Sequence, residues 1–179
     1  MWFSFGLLLA SMMSAPTTEN ESKVFSQVGG WVVFQDLKSD DCGTIMTYAD
    51  GSTLSWHWRP RNETSYFFYT DKAMSSIEQD KKYEVRILFI GSRPGSLDDG
   101  WGTRTAIGSR TDEDVPQIMF QLKGDEAVTD IATNSLIAIK YKDKLVASLS
   151  LDGSANVVRE MRKCAVGILK NHPADPFED

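Results

Sequence analysis

Along most of this chain apolar and polar residues alternate one for one, in short runs separated by Gly, Asp and Asn. A period of two puts one set of side chains on each face of a strand. The alternation predicts strands at 31–34, 44–48, 52–58, 66–70 and 82–90, with weaker ones at 103–107 and 117–122. The plainest is 82–90, where Tyr83, Val85, Ile87 and Phe89 share one face while Glu84 and Arg86 share the other. Asp50-Gly51 between two runs is a hairpin signal, because such turns require positive φ. Strands at 136–141 and 145–151 form a late hairpin around Lys142-Asp143-Lys144.

The period changes in two places. Residues 125–133 read as a short helix with acidic residues at its start, where the helix dipole favours them. From Ser154 onward, Val157, Val158, Met161, Cys164, Ala165 and Ile168 recur at helical spacing, with Arg159, Glu160, Arg162 and Lys163 opposite. Ser154 is placed to cap that helix by accepting from a free backbone N–H. Strands in runs, rather than alternating with helices, imply antiparallel pairing. The expected class is therefore mainly β (α+β): an antiparallel β-sandwich or curled sheet with the C-terminal amphipathic helix packed on it.

The organisation expected is a signal peptide at 1–15, a linker at 16–26, one β-rich domain at 27–170 and a flexible acidic tail at 171–179. MWFSFGLLLASMMSAP is apolar and uncharged, ends in small residues, and is short for a bilayer span, which takes about 20 residues. It carries no Lys or Arg before the apolar run and no clean cleavage site. The chain has two cysteines, Cys42 and Cys164. In an exported protein an even count points to a disulfide, here Cys42–Cys164, with two buried thiols as the alternative. Cys164 on the apolar face of the last helix is positioned to meet a strand carrying Cys42. The expected location is the periplasm or the secreted pool, with no integral membrane segment once the signal is removed.

Composition narrows the function. With 179 residues and 41% hydrophobic content the chain can bury a sizeable core, and its net charge of −6 argues against a broadly basic nucleic-acid binder. Two histidines and two separated cysteines make no zinc set, and neither a P-loop nor a dinucleotide fingerprint occurs, so no metal or cofactor is expected. The sequons at Asn20 and Asn62 matter only in a eukaryotic secretory pathway.

The stretch Leu54-Ser55-Trp56-His57-Trp58-Arg59 places Leu54, Trp56 and Trp58 on one face, read as core with a stacking platform for a sugar or peptide as the alternative, and Ser55, His57 and Arg59 on the other. His57 with Arg59 is a candidate anion site. His57 is also the histidine a small hydrolase would use, although no G-x-S-x-G elbow accompanies it. Asp98-Asp99 and Asp112-Glu113-Asp114 read as solvated loop charge rather than a glycosidase pair or a calcium loop.

Between the fifth strand and Val115 the sequence is rich in Gly, Asp and Arg, and is expected to be an extended polar loop spanning 91–114. Loops on rigid scaffolds commonly carry recognition, and Trp and Arg tend to dominate interface energetics. The candidate binding residues are therefore Arg93, Trp101, Arg104 and Arg110.

LVASLSLDGSANVVREMRKCA, in which a strand ends at Gly-Ser and a cysteine-bearing helix follows, resembles small exported proteobacterial proteins of the invasion-associated locus B type, as does the earlier Asp-Cys-Gly. That resemblance implies a non-enzymatic envelope protein with a β-rich fold. The function expected is an exported, non-catalytic interaction protein that recognises a polypeptide or envelope component through the 91–114 loop. The alternatives are an inhibitor of a lysozyme- or protease-type hydrolase, or a small hydrolase using His57.

Overall fold

The computed structural model describes residues 22–91, 97–123 and 126–171. The mainly β class is what it shows. β1 (Ser22–Val28), β2 (Trp31–Asp36), β3 (Asp41–Thr47), β4 (Thr53–Arg59) and β5 (Thr64–Thr70) form a meander, followed by β6 (Lys82–Gly91), β7 (Leu97–Arg110) and β8 (Pro116–Lys123). Then come α1 (Glu126–Thr133), β9 (Asn134–Tyr141), β10 (Lys144–Ser150) and α2 (Ser154–Asn171). The ten strands make a single antiparallel curled sheet in the order β1-β2-β3-β4-β5-β8-β7-β6-β9-β10. Of the two architectures the alternation left open, the curled sheet is the one adopted. Its first strands come close to its last: Trp31 Nε1 donates to the Asp152 carbonyl at 2.9 Å and Tyr48 Oη to the Ser150 carbonyl at 2.9 Å.

The register makes one face continuous core. Thr44, Trp56, Phe67 and Phe120 are successive cross-strand partners on β3, β4, β5 and β8, and all are buried. Trp56, Phe67 and Phe120 form a stacked row, with ring centroids 5.7 and 5.4 Å apart. Tyr83, Val85, Ile87 and Phe89 fill the same core from β6, and the six apolar residues expected of α2 are all buried. The Cys42–Cys164 disulfide ties β3 to α2, joining Cα atoms 6.1 Å apart across 122 positions of sequence. No helix of the described residues is long and apolar enough to cross a membrane.

Three expectations need correcting. Residues 22–26, expected as linker, belong to β1, an edge strand whose side chains are mostly exposed, so burial left no alternating signature there. Ser154 does not act as the accepting cap: its hydroxyl donates to the Ile131 carbonyl at 2.6 Å, tying the end of α1 to the start of α2. The Gly153 carbonyl accepts the first helical bond, from Val157.

The third concerns 91–114, which is mostly strand. β6 continues to Gly91, and β7 runs for 14 residues from Leu97 to Arg110. Its ladder with β6 carries a wide bulge, since Ile87 pairs with Gly102 while Phe89 pairs with Asp98. Gly100 and Gly102 take φ of +56° and +63° there, angles most side chains resist, which explains the glycine-rich composition that reads as a loop. A Cβ on Gly100 would also lie 2.5 Å from the Ile87 carbonyl oxygen.

Candidate functional site: the open face of the sheet

Of the four residues expected to bind a partner, the structure unites two, and one of those is not on the surface. Trp101 is only 6% exposed. The β7 bulge turns its ring into the core, 4.6 Å from Phe89 and 4.9 Å from Phe67, and its Nε1 donates to Asp130 at 2.8 Å. It is a packing residue and not an interface anchor. Arg104 is exposed and lines a small cavity of about 260 Å³ with Trp101, Gln121, Leu122 and Lys123, where β7 and β8 separate beyond the Ile107–Met119 pair. Arg110 braces its own turn, Nη1 donating to the Asp114 carbonyl at 3.0 Å and carboxylate at 3.2 Å. Arg93 lies outside the described residues, as do the segment expected as a signal peptide at 1–15 and all of the expected 171–179 tail after Asn171, which ends α2.

A larger site lies on the sheet face away from the core. There the cross-strand rows run Phe34, Gly43, His57, Tyr66 on β2 to β5, and Val32, Ile45, Ser55, Phe68, Met119 on β2 to β8. These side chains are half-buried apart from Gly43, which is fully buried. Gly43 lies under the Phe34 ring: a Cβ at that position would come within 2.1 Å of it. Phe34 in turn meets His57 edge to face at 5.2 Å, and Phe68 meets it from the other side at 5.3 Å. Gly43→Val is therefore expected to eject Phe34, at a cost of about 1–3 kcal/mol for overpacking, read as a lower melting temperature together with a shifted His57 ring resonance.

Two hollows adjoin at His57 and Phe68. The larger, about 630 Å³, has Ile45 and Phe68 in its floor and Thr53, Ser55, Thr70 and Gln117 in its walls. The turn after β7 forms one rim through Thr111, Asp112, Glu113 and Val115. That turn is the part of the expected 91–114 recognition segment that reaches this site. The smaller hollow, about 290 Å³, is lined by Asp41, His57, Arg59, Tyr66, Phe68 and Met119.

Asp41 is the residue sequence reasoning missed. It enters through the register, as β3 brings it opposite Asp36 while β4 carries His57 and Arg59 alongside. His57 Nδ1 lies 3.7 Å from Asp41 Oδ1, and Arg59 Nε lies 3.7 Å from Asp41 Oδ2. Both separations are too long for hydrogen bonds. Asp41 Oδ1 and Arg59 Nε are each buried without a hydrogen-bond partner. Arg59 also lies over the Tyr66 ring, 5.0 Å from its centroid. Burial pushes the Asp41 carboxyl up, but His57, the Ser39 hydroxyl and the Arg59 guanidinium together outweigh it and hold the group below its ordinary value.

The chemistry differs from the anion site expected of His57 and Arg59, because a buried carboxylate sits beside both. The arrangement puts an Asp beside a His, with Ser55 lining the larger hollow that His57 also lines. In this geometry Asp41 does not make the hydrogen bond that orients a general base. No cluster of metal-ligating side chains occurs among the described residues. The chain matches no family model, and neither a curated protein nor a solved structure matches it.

Proposed function

We propose that this chain is an exported, non-catalytic binding protein of the periplasm or cell envelope, and that it captures an envelope component on the open face of its sheet. The observation that carries the reading is the pair of adjoining hollows around His57, which gather polar walls and a half-buried aromatic floor onto one face of a rigid sheet. Export is supported by the Cys42–Cys164 bridge, since such bonds persist in oxidising compartments. The resemblance to the invasion-associated locus B type points the same way.

The test is retention of the oxidised protein on an immobilised envelope fraction. Ser55→Arg with Phe68→Ala fills one hollow and strips an aromatic ring that lines both, and is expected to reduce retention about tenfold or more, the scale of a central contact cluster. Arg104→Ala with Arg110→Ala, both on β7, should leave retention within about twofold, as rim contacts do. The opposite ranking would move the binding surface to β7.

A further inference from the structure

We infer that the occupant of the smaller hollow is a neutral, hydroxyl-rich group, the sugar ring of an envelope glycan, held between Asp41 and Arg59; this rests on the open-face binding reading above. Two buried polar atoms face this hollow without partners. Asp41 is 3% exposed, lines the hollow, and keeps Oδ1 without a hydrogen-bond donor. Arg59 lines the same hollow and keeps Nε without an acceptor. A bound group that satisfies both must donate to one and accept from the other.

Charge then sorts the candidates. A phosphate or carboxylate would accept from Arg59 but meet the Asp41 carboxylate, 3.7 Å from that nitrogen. An ammonium or guanidinium would donate to Asp41 and meet Arg59 instead. A hydroxyl both donates and accepts, so one sugar hydroxyl, or two on adjacent carbons, serves both without a charge conflict.

A peptide amide has the same dual capacity, and the fold discriminates against it. Extended peptides are commonly held by main-chain hydrogen bonds to a free strand edge. Here the hollows lie over β3, β4, β5 and β8, which are paired through the middle of the sheet, so recognition falls to side chains. Those side chains suit a sugar. Phe68 and Met119 offer apolar surface to a ring face, while Ser55, Thr70 and Gln117 next door offer hydroxyl and amide groups to a second residue. Asp112 and Glu113 on the far rim would further disfavour an anionic polymer.

The experiment is titration of the oxidised full chain with cellobiose, maltotriose and N,N′-diacetylchitobiose, read by calorimetry and by the His57 ring resonance. Inorganic phosphate and a tri-lysine peptide serve as the charged comparisons. At least one neutral saccharide is expected to bind and to shift His57. Asp41→Asn and Arg59→Gln should each weaken that binding about tenfold or more, the loss expected for a hydrogen bond to a charged group. Where Asp41→Asn lowers stability, Arg59→Gln, on a more exposed side chain, carries the test. Saccharide binding unaffected by both variants overturns the inference. So does tighter binding of phosphate or tri-lysine at His57, which leaves the open face as a binding site for another chemistry. No saccharide binding, with an envelope fraction still shifting His57, overturns the sugar assignment alone. Failure of every probe, the envelope fraction included, overturns the binding reading as well.

Discussion

Replacing Cys42 and Cys164 together by serine is expected to be among the most damaging changes this chain can suffer. The bridge closes a segment of 122 positions, running from the third strand to the last helix. Cross-linking so long a loop restricts the unfolded chain strongly, and its removal should cost about 3–5 kcal/mol. For a domain of this size that corresponds to a drop of roughly 10 °C in melting temperature. The effect should be largest in α2, which the bridge pins to β3 and which otherwise holds by the apolar stripe from Val157 to Ile168. The check is thermal unfolding with and without reductant: wild type should lose stability when reduced, and the double serine variant should be indifferent to it.

Trp101→Ala is the second large effect, and it reverses what the composition of β7 implies about this residue. The side chain touches Phe67, Phe89 and Phe120 and ties its indole to Asp130 on α1. Truncation leaves a cavity where the stacked row of Trp56, Phe67 and Phe120 meets β6, at about 3–5 kcal/mol for removing a buried aromatic. Arg104→Ala, three residues along the same strand and exposed, should change stability by only about 0.5 kcal/mol or less. Chemical denaturation of the two variants side by side separates a packing residue from a surface one. Equal and small losses would mean that Trp101 does not carry the packing described for it.

The contrast shows where sequence pattern carries information and where it stops. Tyr83, Val85, Ile87 and Phe89 share one face by alternation alone, as an unbroken strand with one buried face requires, and all four are buried. The face of α2 was legible for the same reason at helical period. Leu54, Trp56 and Trp58 were placed inward by alternation; the first two are fully buried and Trp58 packs partly buried against the same core. β7 is legible only as the weak run at 103–107; before it a bulge breaks the period, and Gly100 and Gly102 give the strand the composition of a loop. β1 was opaque because an edge strand with little buried surface leaves no pattern.

The site divides in the same way. His57 and Arg59 could be put on the open face from local alternation alone. Asp41 could not be joined to them, since that depends on how β3 registers against β4, a long-range fact. Nor could the approach of the 111–115 turn to Ser55 and Phe68, which follows from β8 crossing over to lie beside β5. With Asp41 in place, the chemistry of the hollow changes from that of a cationic anion-binder to that of a paired donor and acceptor.

Recognition on the open face, around His57, can be read at the histidines themselves. The chain contains two histidines, so a sample labelled with carbon-13 at histidine gives two sets of ring signals, one from His57 and one from His172. Titration with a solubilised envelope fraction should move the His57 signals and leave those of His172 in place, and the Ser55→Arg, Phe68→Ala variant should abolish the change. Binding confirmed by co-sedimentation with His57 signals unmoved would place recognition elsewhere on the molecule.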